Sequence, residues 1–212
     1  MSISQQTYQG IAGPIEALVD SPAGQSPVGI AVITHPHPLQ GGTARHKVPQ
    51  ALARCFQQHG WLAVRPNFRG IGESAGEHDS GAGETEDILQ VVDTLRRQYP
   101  GIPLALAGFS FGAFVQARVA NELLRAGKAP DFTILAGMPN GTVEGERVYE
   151  TPTAPKDALI IHGGDDQIVP LANVMLWAKP QHLPVVVFPG ANHFLTGYLD
   201  TLTNLVGKHI AA

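Results

Sequence analysis

The 212-residue chain has a single cysteine, Cys55. One thiol excludes an internal disulfide and a cysteine-based zinc site. Charge is scarce too: Asp, Glu, Lys and Arg make up 15% of the residues, against about 25% in an average soluble domain. The formal balance is −4 with His neutral, and no basic stretch exceeds the pair Arg96-Arg97. Nucleic-acid phosphates are neutralised by a dense Lys/Arg footprint, so nucleic acid is not an expected partner. No apolar run approaches the ~20 residues that cross a bilayer. The opening MSISQQTYQGIAGPIE lacks the basic and apolar regions of a signal peptide. The expectation is a cytoplasmic protein with no membrane partner.

Glycine and proline are plentiful, at 24 and 17 residues, which is roughly a fifth of the chain against the usual ~12%. A hydrophobic content of 43% supplies enough apolar surface to offset ordering entropy, so this is not a disordered composition. The glycines and prolines must then lie in turns between ordered elements. Length favours one domain, residues 1–212. Short apolar runs rich in β-branched residues predict buried strands at 28–34 (VGIAVIT), 102–107 (IPLALA), 158–161 (ALII) and 183–188 (LPVVVF). Weaker strands are expected at 61–64 and 132–135, and an antiparallel edge strand at 15–19. Between them, Val48, Leu52, Cys55, Phe56 and His59 fall on one helical stripe that ends at Gly60. Ile88, Val91, Val92 and Leu95 form a second. A third helix, 111–126, carries an apolar face and an exposed Arg118–Glu122 pair. Apolar strands alternating with amphipathic helices predict an α/β domain with a mostly parallel sheet covered on both faces.

Ligands of such sheets sit at the C-terminal strand ends. Five polar loops follow strands here: HPHPLQGGT (35–43), NFRGIGES (67–74), GFSFG (108–112), HGGDD (162–166) and GANH (190–193). Gly108-Phe109-Ser110-Phe111-Gly112 fits G-x-S-x-G, with a buried strand before it and a helix after it. That turn projects Ser110 above the sheet at a helix N-terminus, where developing negative charge is favoured. A nucleophilic serine needs a base, and the base needs an acid to hold its tautomer. Of the histidines after Ser110, His182 precedes the last strand and His209 lies near the C-terminus. His162 ends a strand but precedes any candidate acid, so it is read as shaping its turn. His193 follows VVVFPG at the correct edge and is the expected base. Spacing alone does not choose between Asp165 and Asp166 as the acid.

Together, G-F-S-F-G, His162-Gly163-x-x-Asp166-x-x-Val169-Pro170 and Gly190-x-x-His193 resemble the α/β-hydrolase superfamily. The loops 35–43 and 67–76 are similar to those of small, lidless prokaryotic serine hydrolases related to dienelactone hydrolase-like esterases. The resemblance runs from about residue 28 to the C-terminus. It implies an α/β-hydrolase fold with helices on both faces of a mostly parallel sheet and no lid domain. It also implies Asp166 as the acid and the backbone N–H of Phe111 as one oxyanion donor. The second donor would come from the first loop. Pro36 and Pro38 carry no N–H, which leaves His37 or Leu39. Ser110 stands where dienelactone hydrolases have Cys, which argues against that activity.

Other motifs carry less. Gly70-x-Gly72-x-x-x-Gly76 misses the dinucleotide spacing, and Gly41-Gly42-Thr43 lacks the P-loop lysine. His35-x-His37 has no third metal ligand nearby. Arg69, near Glu73 and Ser74, reads as a structural salt link, and Cys55 as a packing residue. No metal or organic cofactor is expected. The expected reaction is acyl-enzyme hydrolysis of a small-molecule ester. A peptidase, thioesterase or acyltransferase on the same fold is the alternative, as is a non-catalytic ligand-binding scaffold. In this superfamily a lid would enter within residues 136–157, a stretch without helical periodicity. An open cleft walled by Phe109, Leu39, Met138, Val169 and Phe194 is therefore expected, suited to short acyl chains. The segment 194–210 is expected to pack on its own sheet or on a second copy, giving a homodimer.

Overall fold

A computed structural model of the chain describes residues 2–24 and 26–211. The strands are β1 (Ser2–Gln9), β2 (Pro14–Ser21), β3 (Ile30–Thr34), β4 (Leu62–Pro66), β5 (Leu104–Phe109), β6 (Phe132–Ala136), β7 (Gly141–Thr142), β8 (Val148–Tyr149), β9 (Leu159–Gly163) and β10 (Val185–Phe188). The helices are α1 (Lys47–Gln58), α2 (Ala82–Gln98), α3 (Phe111–Arg125), α4 (Leu171–Ala178) and α5 (Leu199–Ile210). Eight strands form one sheet in the order β1-β2-β4-β3-β5-β6-β9-β10. β1–β2 and β2–β4 pair antiparallel, and every later pair is parallel. The sheet is fully apolar at its centre, where β3 and β5 are buried along their whole length, as strands covered on both faces must be.

Three of the sequence expectations need correction. The strand at 15–19 is not the edge, because β1 pairs outside it from Ser2↔Ser21 to Gln9↔Pro14. All of β1 except Tyr8 is exposed, so no apolar alternation announced it. Residue 28 stands outside its strand, with Val28 55% exposed. The Arg118–Glu122 pair does not form. Arg118 is half-buried, donates to Thr85 Oγ1 at 3.1 Å and lies over the Phe114 ring, while Glu122 faces Arg125 at 3.5 Å. The amphipathic 194–210 segment resolves to its own domain. Leu202, Val206 and Ile210 of α5 pack with Val48, Leu52, Cys55 and Phe56 of α1 against the sheet.

Helix ends follow local chemistry. After α1, Gly60 at φ +83° lets its own N–H reach Gln57 O and the Trp61 N–H reach Phe56 O, the Schellman arrangement. Glu84 opens α2 by accepting from the N–H groups of Gly81 and Asp79 at 2.8 and 2.9 Å. Cys55 is buried and donates to Thr203 O, and burial pushes its thiol up to about 11. These surroundings make it a packing residue.

A buried ion pair ties the antiparallel edge to the loop before α1. Arg65 on β4 donates twice to Asp20 Oδ2 on β2, at 2.9 and 2.7 Å, and once to Ala44 O at 2.7 Å. Both side chains are 1% exposed. Removing one partner of such a pair strands the other charge, which costs about 3–5 kcal/mol. Arg65→Met is thus expected to lower unfolding stability by that amount in urea titrations. A change under ~1 kcal/mol would contradict this account of the pair. No helix among the described residues is long and apolar enough to cross a membrane.

Candidate active site

The β5–α3 turn holds Ser110 at φ +56°, ψ −126°, a conformation that costs a non-glycine residue of order 1–3 kcal/mol. Its glycines are obligatory. A Cβ on Gly108 would meet Gly112 O at 2.5 Å, and one on Gly112 would meet Thr34 O at 2.5 Å. Thr34 Oγ1 donates to Gly112 O at 2.8 Å, and Ser110 N–H to Ala136 O at 2.9 Å, so β3 and β6 both brace the turn. Strain is held by neighbours, which leaves Oγ fixed at the mouth of the sheet.

The structure brings Ser110, His193 and Asp166 together. Ser110 Oγ lies 2.9 Å from His193 Nε2, and His193 Nδ1 lies 2.7 Å from Asp166 Oδ2. An ionised carboxylate only accepts, so Nδ1–H donates to Asp166 and Nε2 accepts from the serine hydroxyl. Asp166 Oδ1 in turn accepts from Ile168 N–H at 2.9 Å and Val169 N–H at 2.8 Å. Asp165, the other aspartate, is exposed, and it is its main-chain N–H that bonds Ala191 O. His162 is fully buried beside the acid. Its Nε2 lies 2.9 Å from Val169 O and 3.3 Å from Asp166 Oδ2. Burial, set against the Val169 and Asp166 contacts, lowers its pKa, so the neutral ring donates through Nε2–H and holds the turn.

The loop after β3 is tied down through His35. Its ring donates to Pro36 O at 2.7 Å and accepts from Phe68 N–H at 2.9 Å. Within the loop, the N–H groups of Gln40 and Gly42 both reach His37 O, and that of Gly41 reaches Pro38 O. The N–H of His37 has no partner among the described residues, nor has that of Phe111 in the first turn of α3, where helix N–H groups lack intrahelical acceptors.

A cleft opens around Ser110 and His193. Pro36, His37, His46 and residues 40–42 form one wall; Pro139, Val143, Arg147 and Tyr149 form another; Ile168, Val169 and Phe194 close it. Of the expected walls, Val169 and Phe194 are there. Phe109 is not: fully buried, it backs His193 and stacks on His46 from below. Met138 is fully buried in the core against residues such as Leu135 and Ile160. Leu39 is 73% exposed and does not border the cleft. Sequence reasoning missed His46, which caps α1, and the residues of the β7–β8 hairpin, whose two-residue strands leave no periodic signal. That hairpin occupies the stretch where a lid would enter. Arg69 is a structural link as expected, but to Asp87 at 2.7 Å and Asp79 at 3.7 Å; Glu73 gives it no ion pair.

Burial holds three cleft-side imidazoles neutral. His35 is pushed down to about 3; His37 reaches about 4, with His78 and Arg147 adding to burial; His46 reaches about 4, with Lys47 adding. Unfolded, each takes up a proton near its ordinary 6.5. Between these values the unfolded chain binds more protons, so stability is full above about pH 6.5 and falls as pH drops toward 4. Thermal melts are expected to show a lower Tm at pH 5 than at pH 7. A Tm independent of pH across that window would contradict the burial of these rings.

Comparison with known proteins bears on the family. A family model described as serine aminopeptidase, S33, matches residues 39–137. The uncharacterized protein RP471 of Rickettsia prowazekii is 30% identical over 189 residues, 85% of this chain and 78% of that protein. XC6422 from Xanthomonas campestris, described as an α/β serine hydrolase without lid, superimposes with a TM-score of 0.87 at 32% identity, over 100% of this chain and 94% of that one. An α/β serine hydrolase homologue from Coxiella burnetii gives 0.83 at 34% identity, over 98% and 97% of the two chains. With likeness of this extent along the whole sheet, the chain belongs to the α/β serine hydrolases without a lid.

Proposed function

We propose that the protein hydrolyses small, short-acyl esters through an acyl-enzyme, with Ser110 as nucleophile, His193 as base and Asp166 as its orienting acid. The hydrogen-bonded chain from Ser110 Oγ through His193 to Asp166 carries the reading. Ser110 Oγ attacks the ester carbonyl while its proton passes to His193 Nε2. Asp166 stabilises the imidazolium, and the N–H groups of Phe111 and His37 hold the oxyanion. His193 then protonates the departing alcohol oxygen. Water, deprotonated by the same nitrogen, releases the acid and restores Ser110. His37 is preferred to Leu39 as second donor because it borders the cleft and Leu39 does not.

The family model's description raises an aminopeptidase as the second reading. An aminopeptidase must seat a substrate ammonium, which calls for a carboxylate in the cleft. No Asp or Glu among the described residues borders it, so esters are favoured over amino-terminal peptides. The hairpin residues Val143, Arg147 and Tyr149 bound one side of the cleft, a short wall that suits a short acyl group. Against 4-nitrophenyl esters, acetate or butyrate is expected to be cleaved at least about tenfold faster than palmitate, since each CH₂ that finds no pocket forgoes ~0.8 kcal/mol. A preference for chains of twelve carbons or more, or faster cleavage of aminoacyl arylamides than of esters, would overturn the reading.

A further inference from the structure

We propose that Arg147 selects esters whose acyl part carries a second, free carboxylate: monoesters of short dicarboxylic acids. This rests on the reading of Ser110 as a nucleophile toward esters. Arg147 borders the cleft that holds Ser110 and His193, and it also borders an adjoining hollow lined by His37, His78, Phe111 and Tyr149. Neither Ser110 nor His193 nor Phe194 lines that hollow. The alcohol oxygen must depart beside His193 Nε2 to receive its proton, so the hollow on the Phe111 side is left to the acyl chain.

The charge in this place is uncompensated. Arg147 is half-buried and forms no ion pair among the described residues. Its Nε and Nη2 donate to Glu144 O, in its own turn, at 3.3 and 3.1 Å. The Tyr149 hydroxyl also lies beside its guanidinium. Glu144, Glu146 and Glu150 on the same hairpin are exposed, and no Asp or Glu among the described residues lines either hollow. The nearest buried carboxylate on that side, Glu84, is committed to the N–H groups of Asp79 and Gly81 and to His78. His37 and His46 are uncharged at neutral pH, so among the described residues Arg147 is the one cation lining the cleft, with Lys47 outside it over the Phe194 ring. A guanidinium fork matches a carboxylate in plane and charge. No second Lys or Arg among the described residues lines either hollow, which suits a single carboxylate better than a phosphate dianion.

The test compares 4-nitrophenyl hydrogen glutarate with its neutral methyl ester. At low ionic strength the ratio of kcat/KM values, anionic over neutral, is expected to exceed about tenfold, a charge-assisted bond reduced for partial exposure. The ratio should collapse toward one in Arg147→Gln, stay intermediate in Arg147→Lys and shrink with added salt. A wild-type ratio at or below one, or a ratio retained in Arg147→Gln, overturns the proposal. Binding separates this from the hydrolase reading. Calorimetric titration of Ser110→Ala with monomethyl glutarate should show at least about tenfold tighter binding than with dimethyl glutarate. That difference should vanish in Ser110→Ala/Arg147→Gln. Equal affinities in Ser110→Ala overturn the carboxylate site. A preserved difference in a protein whose wild type cleaves neither ester supports the site and removes only the hydrolase reading.

Discussion

Ser110→Ala is expected to lower kcat toward short-acyl esters by up to about 10⁶-fold, judging from other serine hydrolases, with the fold intact. The side chain supplies the attacking oxygen, and no neighbour replaces it. The turn itself depends on Gly108 and Gly112, whose backbones meet at distances that leave no room for a Cβ. Alanine tolerates φ +56° no worse than serine, so the melting temperature should stay close to that of wild type. Steady-state kinetics at saturating 4-nitrophenyl acetate, with circular dichroism as the fold control, check both halves. Residual activity within tenfold of wild type would remove Ser110 from the mechanism.

Asp166→Asn is expected to lower kcat by about 10⁴-fold, the order found when the same change traps a triad histidine in the wrong tautomer. The geometry here explains why the tautomer would switch. Asp166 Oδ1 accepts two main-chain N–H groups, from Ile168 and Val169. An asparagine keeps its carbonyl oxygen there, since an NH₂ group cannot accept those donors. Its NH₂ then faces His193 Nδ1 in place of Oδ2. The ring must accept at Nδ1 and carry its proton on Nε2, where it no longer receives one from Ser110. Asp165→Asn, at an exposed side chain, is expected to leave kcat within about twofold. Comparable losses in the two variants would show that the acid has been misassigned.

Much of this was legible before the fold was known. The elbow was readable because its constraints are local: two glycines, a buried strand before and an apolar helix after. His193 was readable by elimination, because strand polarity decides which loops share an edge. Spacing does not choose Asp166 over its neighbour; the resemblance does, and in the structure Asp166 is the aspartate within hydrogen-bond reach of His193. The cleft walls were less readable. Phe109 is next to the nucleophile in sequence, yet strand alternation turns it into the core, and Met138, in the loop after β6, is buried against Leu135 and Ile160. Leu39 fails for the opposite reason, since a tight turn points it to solvent. Arg147 and Tyr149 escaped because a two-residue strand pair has no period to detect. β1 escaped because a polar edge strand is held by main-chain pairing to β2, not by apolar burial. Each of the five loops that assemble the site carries at least one of the chain's glycines.

The central claim is that Ser110 is a nucleophile activated by His193. Incubation with a fluorophosphonate, followed by intact-mass measurement and peptide mapping, tests it without any choice of substrate. The account predicts a single adduct on Ser110, formed quickly in wild type and at least about a hundredfold more slowly in His193→Ala, where general-base assistance is lost. No adduct on folded wild-type protein, or an adduct at another residue, would contradict it.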